Sequence, residues 1–493
     1  MQLSARLLPL PLLLRTPAAI GRGWSAWRAA SASAPASAPE AHDAAAAASA
    51  EGRGVAPDWL DVPGGRVPLT HELQFVGGPV GPASERLPAF RALDARGAPV
   101  DGAAALPHDL DEAGAVALYT AMARLQVMDA VCYDAQRQGR FSFYMTCAGE
   151  EAAIVGSAAG LDPRDVVRRG AAQGGGPAPP AACAQPPTTT APAPAARPAA
   201  QVFSQYREHG VLLWRGFTFD SFANQLFGNA LEPGQGRQMP IHYTSPELCW
   251  QTVSSPLATQ LPHAVGAAYA MKLDGADTVA AAYFGEGAAS EGDAHAALQF
   301  AAVLGAPVVF VCRNNGFAIS TPATEQYAGD GVAARGPAFG VRTVRVDGGD
   351  ARAMHAATRG ARELALRESA PVLVEAMSYR SGHHSTSDDS SRYRTRDEMA
   401  AWAARDPVVR FRNWLALSGW WDEGREAALR RGARREIIDA LERAAKVPKP
   451  AVGQLFTDVY AEPMPWHLRE QREQTLALAR RHPHLVPPGM PVE

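Results

Sequence analysis

Short apolar runs alternate with longer mixed stretches along most of the chain. The runs span 211–214, 279–284, 307–312, 342–346 and 371–377. Each run has the length of a buried strand, and helical stretches alternate with these runs. Alternating strands and helices predict an α/β fold, in which a mostly parallel sheet carries helices on both faces.

Helical spacing is clearest upstream of these runs. One apolar stripe is formed by four residues at helical spacing, Leu118, Met122, Leu125 and Met128. The stripe predicts a helix that starts at Asp109 and ends near Gly139. Residues 149–160 predict a second helix of small residues that pack closely, and 423–446 and 466–480 predict charged C-terminal helices.

Two segments lack the apolar residues that a folded core needs. Residues 29–57 are rich in Ala, Ser and Pro, and residues 170–200 contain no Leu, Ile, Val or Phe. Such composition predicts disorder, because it cannot bury enough apolar surface. We therefore divide the chain into a transit peptide with a disordered segment (1–57), an α/β domain (58–167 and 202–420), a low-complexity insertion (168–201) and a helical C-terminal extension (421–493).

The N-terminal segment has the composition of a mitochondrial transit peptide. Residues 1–39 hold no acidic residue and four arginines, Arg6, Arg15, Arg22 and Arg28. Together with many Ala and Ser residues, this predicts targeting to the mitochondrial matrix. A secretory signal built on 7–14 is the alternative, although Pro9 and Pro11 interrupt that run.

Charge and cysteine content exclude several other classes of protein. The formal net charge of −3 argues against a general nucleic-acid binder. The five cysteines are scattered and in no metal spacing, so they predict reduced thiols rather than a disulfide framework or a zinc site. Nowhere do 18 apolar residues follow one another, so we expect no transmembrane helix and no membrane partner.

Polar side chains follow two of the predicted strands. Gly285-Glu286-Gly287 comes after the run 279–284, and Arg313-Asn314-Asn315-Gly316 comes after 307–312. In parallel sheets, ligands bind just beyond the carboxyl ends of strands. A carboxylate, an amide oxygen and tight glycine turns suit a hard divalent cation that carries a diphosphate. The alternative is a helix cap at Glu286 and an ordinary turn at Asn315-Gly316.

Together, Gly285-Glu286-Gly287 and Asn314-Asn315 resemble the Gly-Asp-Gly…Asn-Asn signature of thiamine diphosphate enzymes, with Glu286 in place of the usual Asp. Two longer stretches are more specific: Phe-Gly-Glu-Gly-Ala-Ala-Ser-Glu-Gly-Asp-Ala-His-Ala at 284–296 and Arg-Ser-Gly-His-His-Ser-Thr-Ser-Asp-Asp-Ser-Ser at 380–391. They are similar to the α subunit of the mitochondrial branched-chain 2-oxoacid dehydrogenase decarboxylase component. The similarity runs from about Pro68 to about Arg472 and is broken at the insertion.

The resemblance implies a thiamine diphosphate-binding fold and a 3-methyl-2-oxobutanoate dehydrogenase that transfers acyl groups to lipoyl. Such an enzyme oxidatively decarboxylates the branched 2-oxoacids of Leu, Val and Ile catabolism and acylates a lipoyl arm of an acyltransferase core. In the two-chain enzymes the glutamate that activates the cofactor lies on the β subunit. The resemblance therefore implies an α₂β₂ heterotetramer, with a regulatory kinase and phosphatase as further partners.

The same resemblance assigns site residues. For Mg²⁺ it implies side-chain oxygens of Glu286 and Asn315 and the carbonyl of Phe317, where Tyr is usual. For K⁺ it implies side-chain oxygens of Ser254, Thr259 and Gln260 and the carbonyl of Pro256, although the loop could also be a helix N-cap. Contacts to thiamine diphosphate are implied for Tyr206, Arg207, Ser255, Leu257, Gly287, Ala288, Arg313 and His384.

His384 is the catalytic candidate. An imidazole there can hold a diphosphate oxygen and move protons during decarboxylation and reductive acylation. Arg380 and Asp388 are expected to order its loop by charge-assisted hydrogen bonds. Ser385 matches the regulatory phosphoserine of the family, and a second phosphoserine position is Thr395 here.

Two alternatives stay open. Pyruvate enzymes usually carry Gly-Asp-Gly-Ala-Ala-Asn-Gln-Gly at the metal and a single His-Gly-His-Ser loop, so Glu286 and the His383-His384 pair favour branched substrates. The other alternative is a non-catalytic subunit whose insertion blocks the cofactor site. That insertion is either a lineage-specific loop or a segment retained by a wrong gene model.

Overall fold

The structure is a computed structural model. It describes residues 59–62, 65–74, 87–101, 106–161, 200–458, 460 and 463–493. These residues belong to one compact unit, Pro57–Glu493. The predicted transit peptide and the insertion at 168–201, apart from residues 200 and 201, lie outside the described residues.

The described strands form one large sheet and one small hairpin. In chain order they are β1 (Trp59–Val62), β2 (Gly65–Thr70), β3 (Ala89–Phe90), β4 (Gln201–Phe203), β5 (Ala280–Gly285), β6 (Val308–Asn314), β7 (Phe317–Ala318), β8 (Thr321–Pro322), β9 (Arg342–Asp347) and β10 (Val372–Met377). The large sheet has the order β1-β2-β3-β9-β10-β6-β5-β4, and β7 pairs with β8. Its edge strand β1 is antiparallel to β2, and the other neighbours pair in parallel.

Helices fill the connections between these strands and the C-terminal part of the chain. They are α1 (Glu112–Arg137), α2 (Glu151–Leu161), α3 (His209–Trp214), α4 (Phe219–Phe227), α5 (Gln260–Leu273), α6 (Gly292–Leu304), α7 (Ala323–Gln326), α8 (Arg335–Ala338), α9 (Ala351–Glu368), α10 (Arg396–Ala403), α11 (Pro407–Leu417), α12 (Glu423–Ala444) and α13 (Trp466–Arg481). The helices predicted at 109–139, 149–160, 423–446 and 466–480 are therefore confirmed as α1, α2, α12 and α13.

Alternate residues of the central strands enter two separate cores. On β5, Ala281 and Tyr283 pack with α1, α2 and α9, whereas Ala280, Ala282 and Phe284 pack with α5 and α6. Both faces of the sheet are thus covered, which explains why its strands read as continuous apolar runs. The predicted α/β fold, with a mostly parallel sheet and a helical C-terminal extension, is confirmed.

One predicted strand is wrong. The run 211–214 belongs to helix α3, and the strand in this part of the chain is β4, which ends before the run begins. Helix α3 is buried on almost every side: a Cβ at Gly210 would lie 2.6 Å from Leu125 on α1 and 2.8 Å from Ile154 on α2. A short apolar run that is buried all round has no periodicity to separate helix from strand.

Helix α1 is long and apolar enough by length and composition to cross a membrane, but 61% of its most apolar window is buried inside the protein. Such burial is typical of a helix in the core of a folded protein. Four of the cysteines lie in the described part of the chain, Cys132, Cys147, Cys249 and Cys312, and all four are free thiols.

Candidate active site

The parallel register brings the predicted site residues to one edge of the sheet. Gly285 at the end of β5 lies beside Arg313 on β6, and Asn314 lies beside Met377 at the end of β10. Beyond these strand ends lies a cavity of about 290 Å³. Its lining comprises Gln205, Tyr206, Arg207, Leu257, Gly285, Glu286, Gly287, Ala288, Arg313, Asn315, Phe317, Ala318, Ile319, Arg380 and His384.

This cavity is smaller than two others, of about 400 and 510 Å³, which contain none of the predicted site residues. We assign the site by its chemistry rather than by its size, because one small volume collects a carboxylate, two side-chain amides, three arginines and a histidine.

Glu286 has the properties of a cation ligand. Its side chain is 2% exposed, and Oε1 has no hydrogen-bond partner among the described residues. The other oxygen, Oε2, accepts the Asn315 main-chain N–H at 3.4 Å. Burial raises the pKa of Glu286 to about 7. A buried carboxylate oxygen without a donor is costly unless a cation compensates its charge, so Glu286 fits a divalent metal ion.

Asn314 and Asn315 have different tasks in the turn after β6. Asn314 faces inward, where its Nδ2 donates to Glu375 Oε1 at 2.9 Å and its Oδ1 accepts the Gly316 N–H at 3.1 Å. Asn315 lines the cavity, and its Oδ1 accepts the Phe317 N–H at 3.2 Å. The turn therefore holds the Asn315 amide beside Glu286, and it sets Phe317 at the start of the β7–β8 hairpin.

Gly287 is required by a close approach of that hairpin. A Cβ at this position would lie 2.7 Å from the Cβ of Ala318 on β7. Ala288–Ser290 continue as a short 3-10 turn before α6 starts at Gly292. The small residues here serve packing as well as access to the cavity.

The predicted potassium loop gathers oxygen atoms at the start of α5. The Thr259 hydroxyl lies 3.2 Å from Ser254 Oγ and 3.1 Å from the Pro256 carbonyl. Gln260 is buried; its Nε2 donates to the Tyr283 carbonyl, and its Oε1 has no partner among the described residues. Thr259 makes no side-chain cap bond to α5, so the helix-cap alternative has no support in the geometry.

The two other predicted residues of this loop, Ser255 and Leu257, differ in whether they reach the cavity. Leu257 lines the cavity and is 39% exposed. Ser255 Oγ lies 2.9 Å from His242 Nε2 and is not part of the cavity lining.

Arg313 is engaged by two buried carboxylates. Its Nε donates to Glu208 Oε1 at 2.8 Å, and its Nη1 donates to Glu150 Oε1 at 2.9 Å. Burial alone would raise the pKa of Glu150, but Arg313 and Arg207 outweigh it and hold that pKa below its ordinary value. The guanidinium that we expected to bind phosphate is thus largely used in holding α2 and α3 against the end of β6.

Glu208 also organises the approach to the cavity. Its Oε2 accepts the main-chain N–H groups of Gln205 and Tyr206, each at 2.9 Å. Gln205 in turn accepts the Gly285 N–H through Oε1 at 2.9 Å. These bonds place Tyr206 at the cavity, where its ring packs edge-to-face on His384 with centroids 6.1 Å apart.

His384 is held between two guanidinium groups. Arg207 Nη2 lies 3.3 Å and Arg380 Nη1 lies 3.2 Å from its Nδ1. Guanidinium nitrogens only donate, so Nδ1 accepts and the ring proton is on Nε2. Burial, then Arg207 and Arg380, lower the pKa of His384 to about 3, so the imidazole is neutral at physiological pH.

The loop around His384 is fixed by the bonds that its sequence predicts. Asp388 Oδ2 accepts the His384 main-chain N–H at 2.7 Å and the Tyr393 hydroxyl at 2.5 Å. Arg380 donates to the same hydroxyl at 3.0 Å and to the Ile319 carbonyl at 2.8 Å. Burial, then Arg207 and Arg394, lower the pKa of Arg380, which indicates positive charge that an anion in the cavity would compensate.

The remaining predicted residues of this region lie outside the cavity lining. Ser385 is half-buried, and its Oγ accepts the Ser387 N–H at 3.3 Å. Thr395 is exposed and caps helix α10 by accepting the Glu398 N–H. His383 Nδ1 accepts the Ser390 N–H at 3.0 Å, so the two adjacent histidines have different environments.

Several residues of the site were missed from the sequence. Glu150, Gln205 and Glu208 support the cavity, and Ile319 lines it with a φ of 57°. A β-branched residue at positive φ is a strained conformation. The one available signal was the pair Glu150-Glu151, whose carboxylates precede a helix of small apolar residues and so require buried partners.

Comparisons with known proteins show the family to which the chain belongs. Residues 119–170 and 183–453 match the dehydrogenase E1 component family, and the gap lies within the predicted insertion. The chain is 46% identical over 434 residues to the 2-oxoisovalerate dehydrogenase subunit alpha 2, mitochondrial, of Arabidopsis thaliana, covering 88% of this chain and 83% of that protein. It is 46% identical to the human mitochondrial alpha subunit over 417 residues (84% of each chain), and 45% identical to that of Caenorhabditis elegans over 408 residues (82% and 85%).

Proposed function

We propose that this chain, which belongs to the dehydrogenase E1 component family, is the α subunit of a mitochondrial branched-chain 2-oxoacid dehydrogenase. The resemblance predicted from the sequence is confirmed by the family match and by relatives at 46% identity over most of the chain. One observation carries the proposal: a single cavity joins the unpartnered Oε1 of Glu286 to the guanidinium groups of Arg207 and Arg380 and the imidazole of His384. The reaction is the oxidative decarboxylation of branched 2-oxoacids with acyl transfer to lipoyl.

The family is thiamine diphosphate-dependent, and the residues present fit that cofactor. Thiamine diphosphate supplies the carbanion chemistry that a 2-oxoacid needs to lose CO₂. The unpartnered Glu286 Oε1 and the Asn315 amide suit Mg²⁺, with the Phe317 carbonyl as a third ligand. The diphosphate would lie against Arg207, Arg380 and the His384 Nε2–H, and the lowered pKa of Arg380 supports an anion beside it.

The loop at the start of α5 would hold K⁺. The Thr259 hydroxyl lies within hydrogen-bond distance of both Ser254 Oγ and the Pro256 carbonyl, and the buried Gln260 Oε1 lacks a donor among the described residues. A monovalent cation would satisfy these oxygens together, and it would fix the loop that carries Leu257 at the cavity.

His384 acts first as a hydrogen-bond donor. Its Nδ1 is used by two guanidinium groups, so only Nε2–H is free to meet a diphosphate or substrate oxygen. An anion at Nε2 raises the pKa of the imidazole by favouring its charged form. Its Nε2–H can then hold the proton against an oxygen on which negative charge develops during acyl transfer.

The active site is completed by a β subunit in an α₂β₂ heterotetramer, and the acyl acceptor is a lipoyl arm of an acyltransferase core. A kinase and a phosphatase would act on Ser385. A phosphate there adds a charge of about −2 beside the Asp388-ordered loop and repels the cofactor diphosphate. The half-buried position of Ser385 requires the loop to open before modification.

Co-expression with a β subunit tests the proposal. Calorimetry should show thiamine diphosphate binding that depends on Mg²⁺, and a substrate panel should show preference for branched 2-oxoacids. His384→Ala should abolish reductive acylation of lipoyl, whereas His383→Ala, whose imidazole bonds Ser390 outside the cavity, is the matched control.

Each alternative has its own outcome. A preference for pyruvate over branched 2-oxoacids would identify pyruvate as the substrate. An assembled tetramer that binds no cofactor would favour a non-catalytic subunit. Unaltered lipoyl acylation by His384→Ala would refute the catalytic assignment of that residue.

A further inference from the structure

A cluster of buried polar side chains lies behind Arg207. It comprises Asp129 on α1, Cys147 in the segment before α2 and His209 at the start of α3. The three are buried, and one metal-ligand-type atom from each lies within 4.8 Å of the others. None of them lines the cavity, and the cysteine spacing in the sequence gives no sign of them.

The cluster satisfies its own hydrogen bonds. Asp129 Oδ1 lies 2.9 Å from both the Tyr144 hydroxyl and His209 Nε2, and Asp129 Oδ2 accepts the Cys147 N–H at 2.5 Å. The Cys147 thiol donates to the Arg207 carbonyl at 3.0 Å. Burial, then Asp129, raise the pKa of Cys147 well above its usual value, so the thiol keeps the proton that it donates. The arrangement is complete without a metal ion.

Thr146 and Cys147 contact Arg207 at two places, its guanidinium group and its main chain. The Thr146 carbonyl accepts Arg207 Nη1 at 2.6 Å, and the Cys147 thiol donates to the Arg207 main-chain carbonyl. Of the other guanidinium nitrogens, Nη2 donates to the His384 carbonyl at 2.7 Å and contacts its Nδ1 at 3.3 Å, and Nε lies 3.7 Å from Glu150 Oε2. A series of contacts therefore runs from Asp129 through Cys147 and Arg207 to His384.

We infer that Asp129, Cys147 and His209 form a metal-free clamp that positions Arg207 against His384. They are positioning residues, because they touch neither the cavity nor its contents. The inference rests on the proposed function, which assigns Arg207 and His384 to the diphosphate. Without the clamp, the Arg207 main chain gains freedom, and the guanidinium must be ordered again when the cofactor binds.

The test measures thiamine diphosphate binding to the assembled heterotetramer by calorimetry with Mg²⁺. Cys147→Ala and His209→Ala should weaken affinity about tenfold, which corresponds to about 1.4 kcal/mol. Cys147→Ser should restore affinity because its hydroxyl donates to the same carbonyl. His355→Ala is the matched control: His355 is 4% exposed on α9 and lies outside the cavity, so it should lower the melting temperature without changing affinity.

A second measurement keeps the inference independent of cofactor binding. Hydrogen exchange of the 380–388 peptide without cofactor should be faster in Cys147→Ala and His209→Ala than in wild type and in His355→Ala. If wild type binds no thiamine diphosphate while this exchange still rises, the proposed function fails and the clamp stands. Unchanged exchange in both variants overturns the clamp. The clamp is also overturned if wild type holds one equivalent of zinc per chain and Cys147→Ala holds none, because the cluster would then be a metal site.

Discussion

Glu286→Gln should stabilise the cation-free protein at alkaline pH. Burial raises the pKa of this carboxyl from its ordinary 4.5 to about 7. The folded protein therefore binds this proton more tightly than the unfolded chain does, and the associated stability is fully present below about pH 4.5. It is lost as the pH rises to about 7, and the loss amounts to about 3 kcal/mol above that pH.

The amide removes the charge and keeps most of the contacts. Its oxygen can accept the Asn315 N–H as Glu286 Oε2 does, and its NH₂ can donate to the buried Gln326 Oε1, which has no partner among the described residues. Near pH 8 without cation, the variant should therefore be more stable than wild type by up to about 3 kcal/mol. At pH 5 the difference should fall below about 1 kcal/mol.

Thermal melting of the assembled heterotetramer at pH 5 and pH 8, with and without Mg²⁺ and thiamine diphosphate, measures both effects. The ligands should raise the melting temperature of wild type and leave that of Glu286→Gln unchanged, because binding to the folded state stabilises it by mass action. Glu325→Gln, an exposed carboxylate on α7, is the control. A variant that melts lower than wild type at pH 8 without cation, or that still responds to Mg²⁺, refutes the reasoning.

Three further predictions concern neighbouring residues. Gly287→Ala should lower stability by about 1–3 kcal/mol in thermal melting, because its Cβ would meet Ala318 at 2.7 Å; Gly292→Ala, whose Cβ meets nothing within 4 Å, should not. Gln260→Ala should remove the dependence of melting on K⁺ against choline, and Gln474→Ala on the exposed face of α13 should retain it. Arg313→Met should cost about 3–5 kcal/mol by leaving Glu208 buried and unpaired, whereas Arg66→Met, in an exposed pair with Asp61, should cost at most about 1 kcal/mol in the same melts.

The sequence predicts the sheet and the metal residues for the same reason. Apolar runs buried on both faces mark β5 and β6, and parallel pairing then fixes where their ends lie. Glu286 and Asn315 follow those ends directly, so their proximity needs only local information. The flanking motifs add the roles of His384 and the loop at the start of α5, which no periodicity could supply.

The ionic support of the site could not be predicted. Arg313 pairs with Glu208 and Glu150, which lie 105 and 163 positions away in the chain. No short-range pattern links such residues, and a lone arginine beside a strand end is equally suited to phosphate. The error at 211–214 has a related cause, because burial of α3 on almost every side removes the polar face by which a helix is recognised.

The three arginines of the cavity have different roles because they have different partners. Two carboxylates already neutralise the charge of Arg313, so this arginine would attract an anion in the cavity only weakly. Arg207 and Arg380 share one neutral imidazole, and each lowers the pKa of His384, although Arg207 Nε also lies 3.7 Å from the buried Glu150 Oε2. A diphosphate held there by the Glu286 metal site would relieve the repulsion between those two guanidinium groups, and it would raise the pKa of His384, whose Nε2 already carries the ring proton. Cofactor binding would thus itself prepare the histidine for proton transfer, which links the metal residues of one strand end to the catalytic loop of another.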